Sequence, residues 1–101
     1  MLVSKHHDGF LMWNSKHPSP RNANWQASRD IAGELTHAVN ANGMKMGFYY
    51  SSLLDWSFTK TPINSIPDLI AGSDTSRQYL AYIESHWREL IERYDPWILV
   101  E

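Results

Sequence analysis

His6, His7 and Asp8 stand side by side in SKHHDGF, residues 4–10, directly after a short apolar run. Two imidazoles and a carboxylate in sequence can ligate a metal, move a proton or hydrogen-bond a polar ligand, because histidine changes charge near neutral pH and offers both a donor and an acceptor. A second group with chemical capacity, Tyr49, Tyr50, Asp55 and Trp56, follows another apolar run, and Trp13 and Trp25 lie between the two groups. A histidine satisfied by its own backbone is the plain alternative for His6 or His7. Two adjacent histidines beside Asp8 and Gly9 favour the functional one.

Metal binding and sugar binding compete for this set. Neighbouring residues of a strand point to opposite faces, so His6 and His7 are expected to diverge rather than chelate one ion. The helical zinc pattern, two histidines four apart with a glutamate between them, is missing, and a metal-dependent hydrolase is the weaker reading. There is no nucleophile elbow and no glycine-rich phosphate loop. A sugar presents hydroxyls to hydrogen-bonding side chains and apolar C–H faces to aromatic rings, and this mixture of residue types offers both.

These side chains need elements to position them. Residues 1–4, 44–51 and 97–101 read as apolar strands. Residues 28–42 read as a helix, with Ser28 as its cap, Asp30 in the first turn, and Ile31, Leu35, Ala38 and Val39 on one face. Asn42-Gly43 stops it in the left-handed manner. Residues 74–93 read as a second helix whose apolar face carries Leu80, Ile83, Trp87, Leu90, Ile91 and Tyr94, with Pro96 beyond its end. The order is β-α-β-α-β. Apolar strands without alternation fit a parallel sheet covered on both faces. The helix-to-strand turns are short, whereas the strand-to-helix segments, 9–27 and 52–73, are long. In α/β folds ligands bind at the carboxyl ends of the strands, where these long segments lie. His6, His7 and Asp8 fall at one such end; Tyr49, Tyr50, Asp55 and Trp56 fall at the next. Gly47 shares a face with Tyr49, while Met46, Phe48 and Tyr50 face the helices, which favours Tyr49 for a site. His17, His37 and His86 carry no pattern and read as surface residues.

Composition narrows the function further. The chain has 101 residues, 43% of them hydrophobic, enough for a packed core. Nine basic residues against eleven acidic ones, with no Lys/Arg run, speak against nucleic acid. No apolar stretch reaches the roughly 20 residues of a membrane span. Ser4, Lys5, His6 and His7 interrupt the start too early for a signal peptide. The absence of cysteine removes thiol chemistry without fixing a compartment.

SKHHDGFLMWNS (4–15) resembles the signature of the α-L-fucosidases of glycoside hydrolase family 29, a Lys-His-His-(Asp/Glu)-Gly-Phe segment followed by a Trp. RDIAGEL (29–35), GMKMGFYYS (43–51), LDWSFT (54–59) and ERYDPWILVE (92–101) continue the likeness in order, and YYSSLLDWSFTKTPI (49–63) looks closest to the bacterial members. The resemblance implies a (β/α)8 TIM-type barrel, usually followed by a β-sandwich, of which residues 1–101 would be a partial barrel of three parallel strands and two helices. It implies retaining hydrolysis of terminal α-L-fucose from fucosylated oligosaccharides or glycoconjugates, by a nucleophilic carboxylate and a carboxylic acid/base, with no cofactor and no metal. By matching positions, His6 and His7 correspond to the family's paired sugar-binding histidines and Tyr49 to its active-site tyrosine, with Trp13 and Trp56 as further pocket aromatics.

A barrel of this kind needs about 250 residues, so the chain reads as a fragment that is itself inactive. The resemblance places the nucleophile, an aspartate, directly after Glu101, the acid/base further downstream and another sugar-binding histidine upstream. Many members carry a Trp where Val100 stands. Members are often periplasmic, secreted or lysosomal. Two other readings remain: a non-catalytic fucose-binding relative, and a small independent interaction module.

Overall fold

A computed structural model describes all residues, 1–101. Strands β1 (Leu2–Lys5), β2 (Gly47–Tyr50) and β3 (Ile98–Val100) form one parallel sheet in the order β1-β2-β3. Helix α1 (Ile31–Ala41) links β1 to β2, and α2 (Ile66–Ala71) and α3 (Arg77–Tyr94) link β2 to β3. The expected β-α-β-α-β order is therefore present with a third, six-residue helix inside the second long segment. That helix is started by Ser65, which accepts from the Asp68 backbone N–H, and by a proline in its first turn. No helix is long and apolar enough to cross a membrane.

Register assigns the faces. Leu2, Phe48 and Leu99 form one row across the sheet; Val3, Tyr49 and Val100 form the next. The first row faces the helices, where Phe48 and Tyr50 join Met46, Leu11, Trp13, Ala32, Leu90 and Tyr94 in the core. The second row faces away from them. Val3 is 46% exposed and Ile98 38%, so this apolar side carries no covering layer. Within residues 1–101 the helices cover one face of the sheet. Gly47 belongs to the uncovered side, where an added Cβ would come within 2.8 Å of Ile98 Cγ2.

Helix α1 starts three residues later than the spacing suggests. Asp30, not Ser28, is its cap, accepting from Gly33 N at 3.0 Å and from the Tyr94 hydroxyl at 2.5 Å. The second bond ties the cap to the end of α3, which a local pattern cannot reveal. The helix ends as expected, with Gly43 at φ +73°.

Helix α3 buries Leu90 and Tyr94 and packs Ile83 and Trp87 against the core as expected, but the inner face is turned away from the predicted centre. Leu80 and Ile91 are about half exposed, whereas His86 and Glu89 are buried. Both polar residues are satisfied by the first long segment. His86 Nε2 lies 2.7 Å from the His17 carbonyl. Glu89 accepts from Trp13 Nε1, Ser15 Oγ and Lys16 N. Burial alone would raise the Glu89 pKa, but these hydrogen bonds to the carboxylate hold it below its usual value. His86 is thus a core residue and not the surface residue its lack of pattern suggested. The segment it grips folds back along β1, with Met12 N donating to the Ser4 carbonyl, and covers that edge of the sheet.

Candidate functional site

The site is built where β1 ends. Pairing slips by one residue between Val3 and Lys5, so Lys5 pairs with Tyr50 instead of continuing on the face of Val3. Such an irregularity flips every later side chain to the other side of the sheet. Lys5 is therefore directed into the protein, where it is fully buried. Its Nζ donates to the Ser51 carbonyl at 2.7 Å, pairs with Asp55 at 3.0 Å and lies 4.7 Å from the centre of the Tyr50 ring. Burial lowers the Lys5 pKa, and the Asp55 carboxylate works against that shift. Asp55 also accepts from Ser57 N at 2.8 Å. It is consequently a buried counter-ion and not a free rim carboxylate.

Above this ion pair the chain turns. Gly9 N donates to the His6 carbonyl, and Asp8 Oδ1 accepts from Phe10 N, closing the turn at both levels. Gly9 has φ +75°, and a Cβ there would lie 2.6 Å from Asp55 Oδ1, so the turn requires glycine. The turn is laced to the segment after β2 by Ser51 N donating to the Lys5 carbonyl and Trp56 N donating to the His7 carbonyl. Trp25 Nε1 donates to the Asp8 carbonyl and its ring meets Phe10 edge-on, bracing the turn from the first long segment.

The imidazoles sit on this platform. His6 and His7 lie past the end of β1, so strand alternation does not apply to them and their rings do not diverge as expected: the centroids are 4.1 Å apart. The His6 ring is also 5.7 Å from Tyr49. His7 is half-buried, its Nδ1 2.7 Å from Ser51 Oγ. Burial, then the neighbouring His6 and Lys5, lowers the His7 pKa and favours a neutral ring. Tyr49 and Val100, paired across the sheet, lie on the uncovered side of β2 and β3. Trp56 is 52% exposed, and its backbone holds the histidine turn.

Of the residues the sequence singles out, the structure brings together His6, His7 and Tyr49, with Trp56 anchored to the same turn. It does not bring Trp13 to this rim. Trp13 has no exposed surface; it packs edge-on to His86 and donates to Glu89 beneath α3. It lies there because the first long segment folds back along β1 and delivers Leu11 and Trp13 to the core. Lys5, Ser51 and Asp55 were missed as supports. The only sequence signal for them was their placement in the same strand-end motifs.

The residues present suit hydrogen bonding to an uncharged polar ligand. No group of three or more His, Cys, Asp or Glu is placed to share a metal ion. The largest hollow, about 770 Å³, lies elsewhere, between α1 and α3, lined by Asp30, Glu34, His37 and Arg93 among others. A smaller apolar groove of about 390 Å³ runs beside β1 and includes His6 and Asp8 in its wall.

Comparison with known proteins follows the same residues. The family model described as alpha-L-fucosidase matches residues 1–100. The alpha-L-fucosidase of Dictyostelium discoideum is 41% identical over 102 residues, covering 95% of this chain and 20% of that protein. The plasma alpha-L-fucosidase of Rattus norvegicus is 34% identical over 105 residues, covering 98% and 21%. The crystal structure of Thermotoga maritima alpha-fucosidase in complex with fucose superposes with a TM-score of 0.89 at 33% identity, over 98% of this chain and 24% of that one. The chain thus spans about one fifth of the length of these curated relatives.

Proposed function

The chain belongs to the alpha-L-fucosidase family, and from that premise we propose that its histidine-bearing strand end binds terminal α-L-fucose within a retaining glycoside hydrolase. The observation that carries this reading is the convergence of His6, His7 and Tyr49 at the carboxyl ends of two adjacent parallel strands. Those ends are where α/β barrels hold their substrates. The structural relative solved with fucose shares nearly the whole of this fold.

Residues 1–101 supply three consecutive strands of the catalytic barrel, and the uncovered row of Val3, Tyr49 and Val100 faces its interior. His6 and His7 hydrogen-bond the sugar hydroxyls. Tyr49 lines the pocket, and Trp56 presents its ring to an apolar face of the substrate. The histidines bind and orient; they do not supply the two carboxylates that retaining hydrolysis requires, about 5–5.5 Å apart. Asp55 is committed to Lys5 and Asp8 to its own turn, so neither is free for that work. The family resemblance puts the nucleophile, an aspartate, directly after Glu101, just beyond the end of β3. The substrate is a fucosylated oligosaccharide or glycoconjugate, and residues 1–101 alone are inactive.

Hydrolysis of an aryl α-L-fucoside by the full-length protein tests this. His6→Ala and His7→Ala should each lower kcat/KM, by about three- to tenfold for one neutral hydrogen bond and more where a buried partner is stranded. Wild-type kinetics in both variants would refute the site. Fucose binding without any turnover in the wild type would make the protein a lectin-like relative instead.

A further inference from the structure

Ser51 is fully buried behind His7, and its hydroxyl has one proton and two neighbours. Ser51 Oγ lies 3.0 Å from the Leu54 carbonyl and 2.7 Å from His7 Nδ1. A carbonyl can only accept, and Leu54 is itself buried with no other donor to its carbonyl. The hydroxyl proton is therefore spent on Leu54. Ser51 Oγ must then accept from His7, and Nδ1 must carry the ring proton. His7 Nε2 makes no hydrogen bond within the chain and is not shut away from solvent.

We propose that Ser51 is a positioning residue that fixes His7 as the Nδ1–H tautomer, so that His7 Nε2 meets a sugar hydroxyl as an acceptor. The acceptor role rests on the fucose-binding reading above; the tautomer does not. The device is a second-level hydrogen bond of the kind that decides which imidazole nitrogen is left for a ligand. It also makes the hydroxyl bound at His7 a donor, which selects the direction of every further hydrogen bond that hydroxyl makes. The Lys5–Asp55 pair supports the arrangement, because Lys5 Nζ holds the Ser51 carbonyl and thereby the residue's place behind the ring.

His86 supplies an internal reference. Its Nε2 faces the His17 carbonyl and its Nδ1 the Tyr50 hydroxyl, at 2.7 and 2.8 Å. The same reasoning gives it the opposite tautomer, with Nε2–H donating and Nδ1 accepting.

The test is nitrogen-15 NMR of the full-length protein labelled at histidine, read through long-range ring correlations at neutral pH. The expected spectrum shows His7 protonated at Nδ1 and bare at Nε2, with His86 the reverse. A proton on His7 Nε2 and none on Nδ1 would overturn the assignment. Addition of L-fucose should shift the bare His7 Nε2 signal in the direction of an accepted hydrogen bond. A bound sugar that leaves this signal unmoved would overturn the acceptor role. Complete failure to bind L-fucose would overturn the fucose reading while the tautomer is read from the sugar-free spectrum. Ser51→Ala should release the ring to a mixture of tautomers and raise KM for an aryl α-L-fucoside about three- to tenfold, with Ser51→Thr restoring both the single tautomer and KM. Unchanged tautomer in Ser51→Ala would show that Ser51 does not set it.

Discussion

Val100 pairs with Tyr49 across the parallel junction of β2 and β3, which puts both on the side of the sheet away from the helices. Glu101 follows directly after β3. On the proposed reading, Glu101 precedes the nucleophile and is not itself that residue. In the full-length protein Glu101→Gln should keep most fucosidase activity, whereas asparagine in place of the aspartate expected after Glu101 should abolish it. Loss of activity in Glu101→Gln, with azide rescue of Glu101→Gly, would make Glu101 the nucleophile.

The Lys5–Asp55 pair is buried on both sides, so it should be costly to break from one side. Asp55→Ala strands an ammonium group in the core and should destabilise the protein by about 3–5 kcal/mol. Replacing both partners by apolar residues, as in Lys5→Met with Asp55→Leu, should recover part of that loss. Urea unfolding compares the three proteins. A single variant no less stable than the double one would show that the pair carries no such burden.

Trp13 and Trp56 should separate cleanly. Trp13→Phe removes the donor to Glu89 and some core volume, and should cost about 1–3 kcal/mol of stability with KM for an aryl fucoside near its original value. Trp56→Ala should raise KM with little change in melting temperature, because about half of that residue is exposed. A raised KM with an unchanged melt in Trp13→Phe would move Trp13 back to the pocket.

His86 gives the protein an acid-sensitive core. Burial lowers its pKa from the ordinary 6.5 to about 4, so between those values the unfolded chain binds a proton that the folded chain refuses. Its contribution to stability is complete above about pH 6.5 and falls as the pH drops towards 4, by roughly 3 kcal/mol over the whole window. His86→Gln should flatten the slope in that window. Carboxylates titrating nearby remain in both proteins, so the difference between the two curves isolates the histidine. Parallel curves would mean that His86 titrates in the fold as it does in the unfolded chain.

The features legible in the sequence were those written in local pattern. Gly43 ends α1 at positive φ as the Asn-Gly pair indicates, and strand parity at Gly47 and Phe48 separates Tyr49 from the core. The family motifs run in order through the whole chain. What stayed hidden depends on contacts distant in sequence. The slipped register at Ser4 decides that Lys5 points inwards, and its partner Asp55 lies in another loop. Helix α3 buries His86 and Glu89 because backbone and side-chain groups of residues 13–17 satisfy them, so an apolar-face rule finds Ile83, Trp87, Leu90 and Tyr94 but misses the polar part of the inner side. Trp13 looked available because its loop is long, but that loop lies along β1 and feeds the core.

On the proposed reading, fucose is held where β1 and β2 end. A crystal structure of the full-length protein with L-fucose bound tests it most directly. Sugar hydroxyls should lie at hydrogen-bond distance, about 3 Å, from ring nitrogens of both His6 and His7, with the Tyr49 side chain in the pocket wall. Fucose bound in a pocket that none of these three residues touches would contradict it.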